Sequence, residues 1–480
     1  MESRTLKSLL VNPVGVAVSS GLLLVVLFAF SLIKRRFGSP DKRRPPGPLG
    51  WPIFGNMFEL GELPHQTMYR WKNKYGPVMW LQLGSINTMV VQNATAAAEL
   101  FKKHDVPFAD RKVPDTLTAF DFNQGTLGMN TFGGHWRVLR RLCSMEFLVN
   151  KRMNETTDLR NRLERNMVAW IEDEHRTSKA QGGDGKILSL AGTPNISDFL
   201  PFLKKLDPLG MKRRMIAHMT RTFRISSRFV QERLDNRKAG KFNEKKDFLD
   251  VLLEYQGDGK DGPATFSEKH INDVIMEMFF AGSETTSISI EWGFAELLRH
   301  PHAFQKLREE IDRVVGVDRL VQESDMENLP YLQAVVKETF RLHPALPLLL
   351  PRNTMEDTKY LGYLIPKRTQ VYVNAWAIGR DPAYWDDPLT FKPERFLNSS
   401  VEYKGQHFEL IPFGSGRRIC IGFPLAHRVV HLTLATLVQA FDWDLGAGVK
   451  PEDIDIDEKL GLTLRKKNPL KLIPKKRLRV

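Results

Sequence analysis

A long helical pattern in the middle of the chain limits the folds that this sequence can adopt. Apolar spacing over Thr265–Arg299 predicts one continuous helix that starts with a capping box at Thr265 and Glu268. At about 1.5 Å per residue, this helix is about 50 Å long and crosses a whole domain. Its centre carries Ala281–Thr286 (AGSETT), where a glycine and neighbouring hydroxyls disfavour helix formation. Such a defect indicates either a packing notch or a functional groove.

The remaining pattern predicts an α+β fold that is mainly α. Helical spacing dominates residues 135–343, and a shorter helix is predicted over Ala94–Lys103. The β-rich runs are Val78–Leu83, Thr88–Val91 and Tyr360–Asn374. Polar breaks at Ser178–Lys186 and Gln256–Gly262 predict exposed loops. With 42% hydrophobic and 26% charged residues, the composition excludes wholesale disorder, a fibrous repeat and a disulfide scaffold.

The N-terminal residues predict a membrane anchor followed by a stiff hinge. Val14–Ile33 carries no charge, and as a helix it spans about 30 Å, the thickness of the hydrocarbon core of a bilayer. A cleaved signal peptide, the alternative, has a shorter apolar run of about 7–15 residues. Basic residues at Lys34–Arg36 follow directly and favour a cytosolic remainder. We therefore predict an anchor over residues 1–33, a basic, proline-rich hinge over 34–56 and a cytosolic domain over 57–480.

The net charge of +14 leaves several classes of partner to consider. The basic tail Lys466–Val480 suggests a nucleic-acid binder, but no recognition motif accompanies it. A tethered chain can instead use this charge at an anionic membrane surface, so no nucleic-acid partner is expected. The two cysteines, Cys143 and Cys420, are too far apart for zinc-ligand spacing, and so few cysteines favour a reducing compartment. Cys143 is interpreted as a small core residue.

The segment around the second cysteine has the composition of a binding loop. Phe413–Gly422 reads FGSGRRICIG, and its glycines allow a close approach of the backbone to a flat or anionic group. Arginines and glycine amides near Cys420 would stabilise a thiolate. A phosphate-binding loop would need G-x-x-x-x-G-K-[ST], and the C-x₅-R spacing of a phosphatase is not met by Arg428. An inert buried cysteine is the remaining alternative.

This loop resembles the haem-binding loop of the cytochrome P-450 family, the haem-thiolate monooxygenases. Phe413, Gly416, Arg418, Cys420 and Gly422 fill all the fixed positions of F-x-x-G-x-R-x-C-x-G. The resemblance implies the cytochrome P-450 fold, a helix-rich haem domain with a small β-rich lobe behind an N-terminal transmembrane helix. It also implies that Cys420 is the axial thiolate ligand of the iron in haem b, which favours O–O cleavage, and that Arg418 binds a propionate.

The AGSETT segment of the long helix is similar to the oxygen-activating helix of the same family, A-G-x-[DE]-T. The resemblance implies that Ala281 and Gly282 leave room for O₂ over the haem. It also implies that Glu284 and Thr285 are the catalytic residues that support proton delivery, a role that needs groups within hydrogen-bond distance.

A further motif resembles the structural triad of the family. Glu338 and Arg341 are spaced i, i+3 and share a helix face, where most such pairs are exposed to solvent. A P-E-R-F sequence follows downstream, as in the family. The resemblance therefore implies a buried ion-paired triad of Glu338, Arg341 and Arg395, in which loss of one partner costs about 3–5 kcal/mol.

Three other residues are similar to the propionate contacts of the family. Trp136 and Arg140 match its W-x-x-x-R pattern, for which a basic helix face is the alternative, and Arg352 lies in an L-P-R sequence. The planar fork of arginine suits paired carboxylates. By resemblance, loops at 118–130, 345–349 and 462–463 approach the haem. The candidate substrate-pocket residues on them, each of which is otherwise ordinary core, are Phe120, Phe122, Leu346 and Leu348.

The function that the resemblance implies is a monooxygenase that inserts one atom of O₂ into an apolar small molecule. Electrons would come from NADPH through a membrane-bound cytochrome reductase, with cytochrome b5 as a further partner. The protein would be a single-pass protein of the endoplasmic reticulum membrane. The motifs are most similar to plant microsomal members, the geraniol hydroxylases among them, which implies a terpenoid substrate. A haem-thiolate isomerase or dehydratase is an alternative, although such members often lose the acid–threonine pair that is intact here.

The sequence departs from the family pattern near residues 186–194. Only Ile187–Ala191 connects the polar break to Gly192, where family members carry two further helical stretches. Several tens of residues are therefore predicted to be missing. Because those helices help to roof the substrate channel, a haem-binding but catalytically impaired form is a second alternative.

Overall fold

The computed structural model describes residues 17, 19–21, 23–26 and 43–477, apart from 178–189, 245, 261 and 447. Most of the predicted anchor Val14–Ile33 lies outside the described residues, and its described part is helical. Among the described residues, no helix combines the length and the apolar character needed to cross a bilayer. The predicted loop Ser178–Lys186 also lies outside the described residues.

Helices dominate the described chain, as the apolar spacing predicts. The α-helices are α1 (Pro64–Tyr75), α2 (Ala94–Lys103), α3 (Phe122–Gly125), α4 (Gly134–Leu142), α5 (Asn150–Glu155), α6 (Thr157–Thr177), α7 (Ile196–Phe199), α8 (Met211–Lys238), α9 (Phe248–Glu254), α10 (Glu268–Arg299), α11 (Pro301–Val314), α12 (Pro330–Leu342), α13 (Ala375–Ile378) and α14 (Phe423–Ala440). Helix α2 has the predicted bounds because the side chain of Asn93 accepts a hydrogen bond from the N–H of Ala96 at its N-terminus.

The strands form one larger sheet and three hairpin-like pairs. They are β1 (Val78–Leu83), β2 (Ile86–Val91), β3 (Asp110–Arg111), β4 (Arg352–Asn353), β5 (Thr358–Tyr360), β6 (Tyr363–Ile365), β7 (Gln370–Val373), β8 (Phe441–Asp444), β9 (Glu458–Leu460), β10 (Leu464–Lys466) and β11 (Ile473–Lys476). The larger sheet has the order β1-β2-β7-β4-β3, in which β2 and β7 are parallel. The pairs are β5–β6, β9–β10 and β8–β11. The predicted class, α+β and mainly α, is confirmed.

Helix α10 is the long helix that the sequence predicts, but its first turn differs from the prediction. It runs for 32 residues, with Ser267 as its N-cap, whose side chain accepts a hydrogen bond from the N–H of His270. The predicted capping box at Thr265 and Glu268 is therefore wrong, because the chain becomes helical one residue after Ser267. The C-terminal half of α10 is buried against α12 and α14, whereas Phe279 in its middle is 67% exposed.

The described part of the predicted hinge lies along strand β1. The N–H of Trp80 donates to the carbonyl of Pro46 at 2.9 Å, and the N–H of Asn56 donates to the carbonyl of Gln82 at 2.6 Å. Gly55 has a φ of 63°, and a Cβ there would lie 1.8 Å from the Gln82 carbonyl oxygen. The backbone approaches the strand so closely that only glycine fits at this position.

Two apolar cores hold these elements together. The larger core joins α10, α11, α12 and α14 through side chains such as Leu297, Leu332 and Leu434, each of which is fully buried. The second core joins the larger sheet to α2 through residues such as Met89 and Leu100. The mainly helical core therefore lies beside a smaller β-rich one.

The predicted ion-paired triad ties α12 to the chain after α13. The guanidinium of Arg341 donates to both carboxylate oxygens of Glu338 at 2.6 and 2.8 Å, and neither side chain is exposed. Arg395 donates from Nε to Glu338 at 3.0 Å, and the N–H of Lys392 adds a bond of 2.7 Å to the same oxygen. A buried carboxylate with this many donors holds two distant segments in register.

We predict that Glu338→Gln lowers the free energy of unfolding by about 3–5 kcal/mol, because it leaves the buried Arg341 without a counter-charge. Urea unfolding of the full chain in detergent, followed by circular dichroism, measures the change. Glu309→Gln, the same substitution at an exposed position of α11, should stay within about 0.5 kcal/mol of the parent. Equal stability of Glu338→Gln and the parent would contradict this account.

Candidate active site

The cysteine loop is shaped by a carboxylate that sequence reasoning did not identify. Asp105 follows α2, and its side chain accepts the N–H of Arg417 at 2.8 Å and Nη1 of Arg352 at 3.1 Å. Gly416 has a φ of 69°, and a Cβ there would lie 2.6 Å from the Asp105 carboxylate. Cys420 donates its N–H to the Phe413 carbonyl at 2.9 Å and so closes the loop. No local sequence signal marks Asp105, because its partners lie more than 240 positions away.

Cys420 lies two residues before the N-cap of α14, near the positive end of the helix dipole. The N–H groups of Gly422 and Phe423 and the charge of Arg140 act to lower the pKa of its thiol and so favour the thiolate. Cys420 is accessible to solvent, yet it lies deep enough among protein atoms that desolvation raises the pKa of its thiol overall. Cys143, by contrast, is fully buried in an apolar cluster, and burial raises the pKa of its thiol strongly.

Arg418 and Trp136 converge on one backbone carbonyl. Nη1 of Arg418 and Nε1 of Trp136 donate to the Leu127 oxygen at 3.1 and 3.0 Å. The Arg418 guanidinium also lies 4.2 Å from the centre of the indole rings, within the range of a cation–π contact. Arg140 donates to the carbonyl of Ile419, one residue before the cysteine, at 2.6 Å. These three predicted residues therefore surround the cysteine loop.

Arg111 is a fourth cation in this region that sequence reasoning missed. It lies on β3, and its guanidinium donates to the carbonyls of Gly128 and Leu350 at 2.9 and 2.8 Å. Arg352, on the neighbouring strand β4, is equally buried. The two arginines meet because β3 and β4 pair antiparallel, which places Arg111 opposite Arg352.

The buried arginines repel one another. Desolvation, and then the charges of Arg352 and Arg418, hold the pKa of Arg111 well below its usual range. Desolvation and Arg352 lower the pKa of Arg418 to about 9. A ligand with two carboxylates would offset this excess of buried positive charge, and an accessible thiol at a helix N-terminus can ligate iron. The residues present therefore fit haem, with its two propionates and its iron.

The centre of α10 has the open surface that the AGSETT motif predicts. The Thr285 hydroxyl donates to the Ala281 carbonyl at 2.6 Å, which competes with the helical hydrogen bonds. Ala281 and Gly282 are exposed, and no atom lies within 4 Å of the place that a Cβ of Gly282 would take. The Glu284 carboxylate accepts a hydrogen bond of 2.5 Å from the hydroxyl of Thr463. Sequence reasoning did not assign a role to this threonine side chain.

The structure separates the candidate substrate-pocket residues into different environments. Phe122 is buried and Phe120 is 43% exposed, and both contact the edge of Phe223 on α8. Leu348 packs instead on the apolar cluster beneath β1, and Leu346 is half-buried. Phe122 and Leu348 therefore lie in different apolar clusters, and the pocket of all four residues stays a prediction. The apolar cluster that contains Phe122 also includes Met129, Ala191, Met215, Met219 and Met276.

The chain after the predicted shortening is seated against the site. Ala191 packs in the same cluster as Phe122, and a Cβ at Gly192 would lie 1.5 Å from the backbone nitrogen of Leu462. Asp198 accepts the N–H of Asp115 at 2.5 Å. These contacts hold the segment that follows residue 190 between the β9–β10 hairpin and the loop that carries Phe122.

Known proteins resemble this chain in sequence and in structure. A family model described as "Cytochrome P450" matches residues 45–184 and 173–473. Iridoid oxidase from Catharanthus roseus is 74% identical, with 98% of each chain covered. Geraniol 8-hydroxylase from the same plant is 37% identical, over 94% of this chain and 98% of the relative. A solved zebrafish cytochrome P450 structure with progesterone superposes with a TM-score of 0.68 and 25% identity, over 86% and 99% of the two chains.

The alignment with iridoid oxidase also contains gaps in this chain. It spans 510 positions, whereas the chain has 480 residues, so at 30 or more positions the relative has a residue and this chain has none. The family model matches in two pieces that meet at residues 173–184, close to the region that the sequence analysis marks as short.

We predict that Asp105→Asn lowers the free energy of unfolding by about 3 kcal/mol, because the buried Arg352 loses its counter-charge and the cysteine loop loses a charged acceptor. Urea unfolding of the full chain measures the change. Asp386→Asn, at an exposed position, is the control and should remain within about 0.5 kcal/mol of the parent. If both variants unfold with the parent, Asp105 does not hold the loop.

Proposed function

The chain belongs to the cytochrome P450 family of monooxygenases, and we propose that it is a haem-thiolate enzyme that inserts one oxygen atom of O₂ into an apolar plant terpenoid. One observation carries the proposal: an accessible cysteine at a helix N-terminus lies beside a buried excess of arginine charge. That combination suits a ligand with one metal and two carboxylates and has no evident use in an apolar core. The protein is accordingly an oxidoreductase.

The proposed haem site uses residues from four separate parts of the chain. Cys420 would ligate the iron through its sulfur, while Phe413, Gly416 and Gly422 give the loop its shape. The residues that we expect to hold the propionates are Arg111, Trp136, Arg140, Arg352 and Arg418. Haem, when bound, would supply the redox chemistry that activates O₂. The accessible face of Cys420 and the short loop leave the thiol free for the metal.

The exposed centre of α10 is the proposed distal side. Ala281 and Gly282 leave space because their side chains are minimal and no neighbour fills the gap at Gly282. Glu284 would hold a proton at its carboxylate, and Thr285 would pass it from its hydroxyl. The hydroxyl is free to turn for this role once it leaves the Ala281 carbonyl, which accepts it at 2.6 Å.

An iridoid is the substrate class that we propose. The relative named iridoid oxidase is 74% identical, whereas geraniol 8-hydroxylase is 37% identical. The buried cluster of Phe122, Met215 and Met219, with Phe223 packed against it, is apolar and contains adaptable methionines. A pocket wall formed by these side chains would suit a small terpenoid skeleton and would hold few polar groups to fix its orientation.

Electron supply and location complete the proposal. Electrons would come from NADPH through a cytochrome reductase, with cytochrome b5 as a second donor. The chain has 70 basic and 56 acidic residues, and this positive net charge suits an acidic protein partner and an anionic membrane surface. The uncharged run Val14–Ile33 would anchor the chain in the endoplasmic reticulum membrane with the haem domain in the cytosol.

A haem-binding form with impaired catalysis is the second candidate. The 510-position alignment and the interrupted family match support the predicted shortening, and Phe279 on α10 is exposed. Against impairment stands the seating of the chain after residue 190, where Gly192 packs on Leu462. An isomerase or dehydratase is disfavoured because Glu284 and Thr285 are both present. All of these candidates bind haem, so a measurement of haem incorporation distinguishes them from a chain that does not fold.

We predict that the full chain, expressed in microsomes, reduced and treated with carbon monoxide, gives the red-shifted band of a thiolate-ligated haem. Cys420→Ser should lose this band, because a hydroxyl does not replace the thiolate ligand. Cys143→Ala, at the other cysteine, should keep it. A band that survives in Cys420→Ser would remove Cys420 as the ligand, and no band in the parent would overturn the proposed function.

We predict that Thr285→Ala lowers the product formed per NADPH consumed by at least about tenfold, because proton delivery loses its hydroxyl. Microsomes that contain a cytochrome reductase are supplied with an iridoid or with geraniol, and product and NADPH are quantified. Thr286→Ala, at the neighbouring position, is the control and should match the parent. An unchanged ratio in Thr285→Ala would count against its role, and turnover of geraniol alone would count against an iridoid substrate.

A further inference from the structure

We propose that Thr463 is a positioning residue, whose hydroxyl fixes one oxygen of the Glu284 carboxylate and leaves the other free for proton transfer. The inference rests on the proposed function of Glu284 and adds a residue from outside the α10 motif. It concerns the turn between β9 and β10, a part of the chain that is 179 positions from Glu284 in sequence.

Thr463 is the hydrogen-bond partner that the structure gives to the Glu284 side chain. The hydroxyl donates to Oε1 at 2.5 Å, while Oε2 is buried and has no partner among the described residues. Among the residues that the structure describes, no lysine or arginine forms an ion pair with Glu284. The orientation of this carboxylate therefore depends on one hydroxyl.

The hydroxyl is itself held rigidly. Thr463 is 3% exposed, and the N–H of Gly461 donates to its carbonyl at 2.9 Å within the turn. The N–H of the next residue, Leu464, donates to the carbonyl of Ala345 at 2.8 Å. The carbonyl of Leu464 accepts a hydrogen bond of 2.9 Å from Nε1 of Trp292. A donor fixed from both sides can set the direction of a side chain that has several rotatable bonds.

Helix α10 presents Glu284 and Trp292 to the same hairpin. They are eight residues apart, so the two side chains leave the helix about 80° apart around its axis and within one broad face. Trp292 is fully buried and stacks on His343 at the end of α12, with ring centres 4.1 Å apart. Because the held indole donates to the Leu464 carbonyl, it fixes the hairpin against the helix and so places Thr463 beside Glu284.

The chemistry of the pair explains why one fixed oxygen is useful. A threonine hydroxyl has a single proton to donate, so it can hold Oε1 without satisfying Oε2. An unpartnered, buried carboxylate oxygen is costly unless it exchanges its hydrogen bonds with water or a reacting group. Without Thr463, the side chain could turn toward the exposed face at Ser283 and Ser287, away from that place.

The test compares Thr463→Val, which keeps the shape and removes the donor, with Thr463→Ser, which restores a hydroxyl. Thr88→Val is the matched control, because the Thr88 side chain is equally buried and its hydroxyl has no partner. Each full-length variant is expressed in microsomes as the holoenzyme. The infrared stretching band of bound carbon monoxide is the readout that does not depend on activity, since this band responds to polar groups near the iron.

Thr463→Val should shift or broaden the carbon monoxide band and lower the product formed per NADPH about tenfold, whereas Thr463→Ser and Thr88→Val should match the parent. In a Glu284→Gln background, Thr463→Val should have no further effect, because the two changes act through one group. If Thr463→Val does not take up haem, Thr463→Ala is measured with the same expectation.

A Thr463→Val band and ratio equal to those of the parent would overturn the positioning role alone. The same holds if the valine variant has an equal effect in the parent and in Glu284→Gln, because Thr463 would then act independently of Glu284. A parent that lacks the thiolate band would instead overturn the proposed function, and this inference with it. The two failures are therefore distinguishable.

Discussion

The charge balance around the cysteine loop is the constraint on which the rest of the site depends. Arg111, Arg352 and Arg418 are buried close together: the charges of Arg352 and Arg418 lower the pKa of Arg111, and the charge of Arg352 lowers that of Arg418. In the chain alone, backbone carbonyls and the carboxylates of Asp105, Asp110 and Glu277 offset part of this repulsion. A bound dicarboxylate would offset the remainder, so haem uptake and the stability of this region are thermodynamically linked.

Helix α10 connects this charged region to every other part of the site. Its first half contacts the loop that carries Phe122, its centre forms the open surface at Gly282, and its second half packs in the larger core. A helix of 32 residues can serve all three because packing at its buried end fixes the orientation of its exposed centre. The weak helical propensity of the AGSETT segment is therefore tolerated.

Sequence reasoning succeeded where the signal is local and failed where it depends on tertiary contacts. The bounds of α2 and β1 and the C-terminal end of α10 follow from spacing, and the Glu338–Arg341–Arg395 contacts follow from the family motif. Asp105 and Arg111 carry no local mark, because their partners lie far away in the chain. The loop 462–463 is expected near the haem, but the bond from Thr463 to Glu284 has no sequence signal. Leu348 and Phe122 lie in different apolar clusters, because Leu348 packs beneath β1 whereas Leu350, two residues later, packs on the cluster of Phe122.

The predicted shortening near residues 186–194 lies close to one part of the proposed site and apart from the rest. Strands β3 and β4, helix α4 and the side chain of Asp105 hold the arginines and the cysteine loop. All of them are outside the region near 186–194. The apolar cluster of Phe122, by contrast, includes Ala191, and the next residue, Gly192, packs on Leu462 where the chain re-enters after that region. On the proposed function, loss of residues there would alter the substrate pocket more than the binding of haem. Haem binding and substrate turnover would then be separable, because different contacts support them.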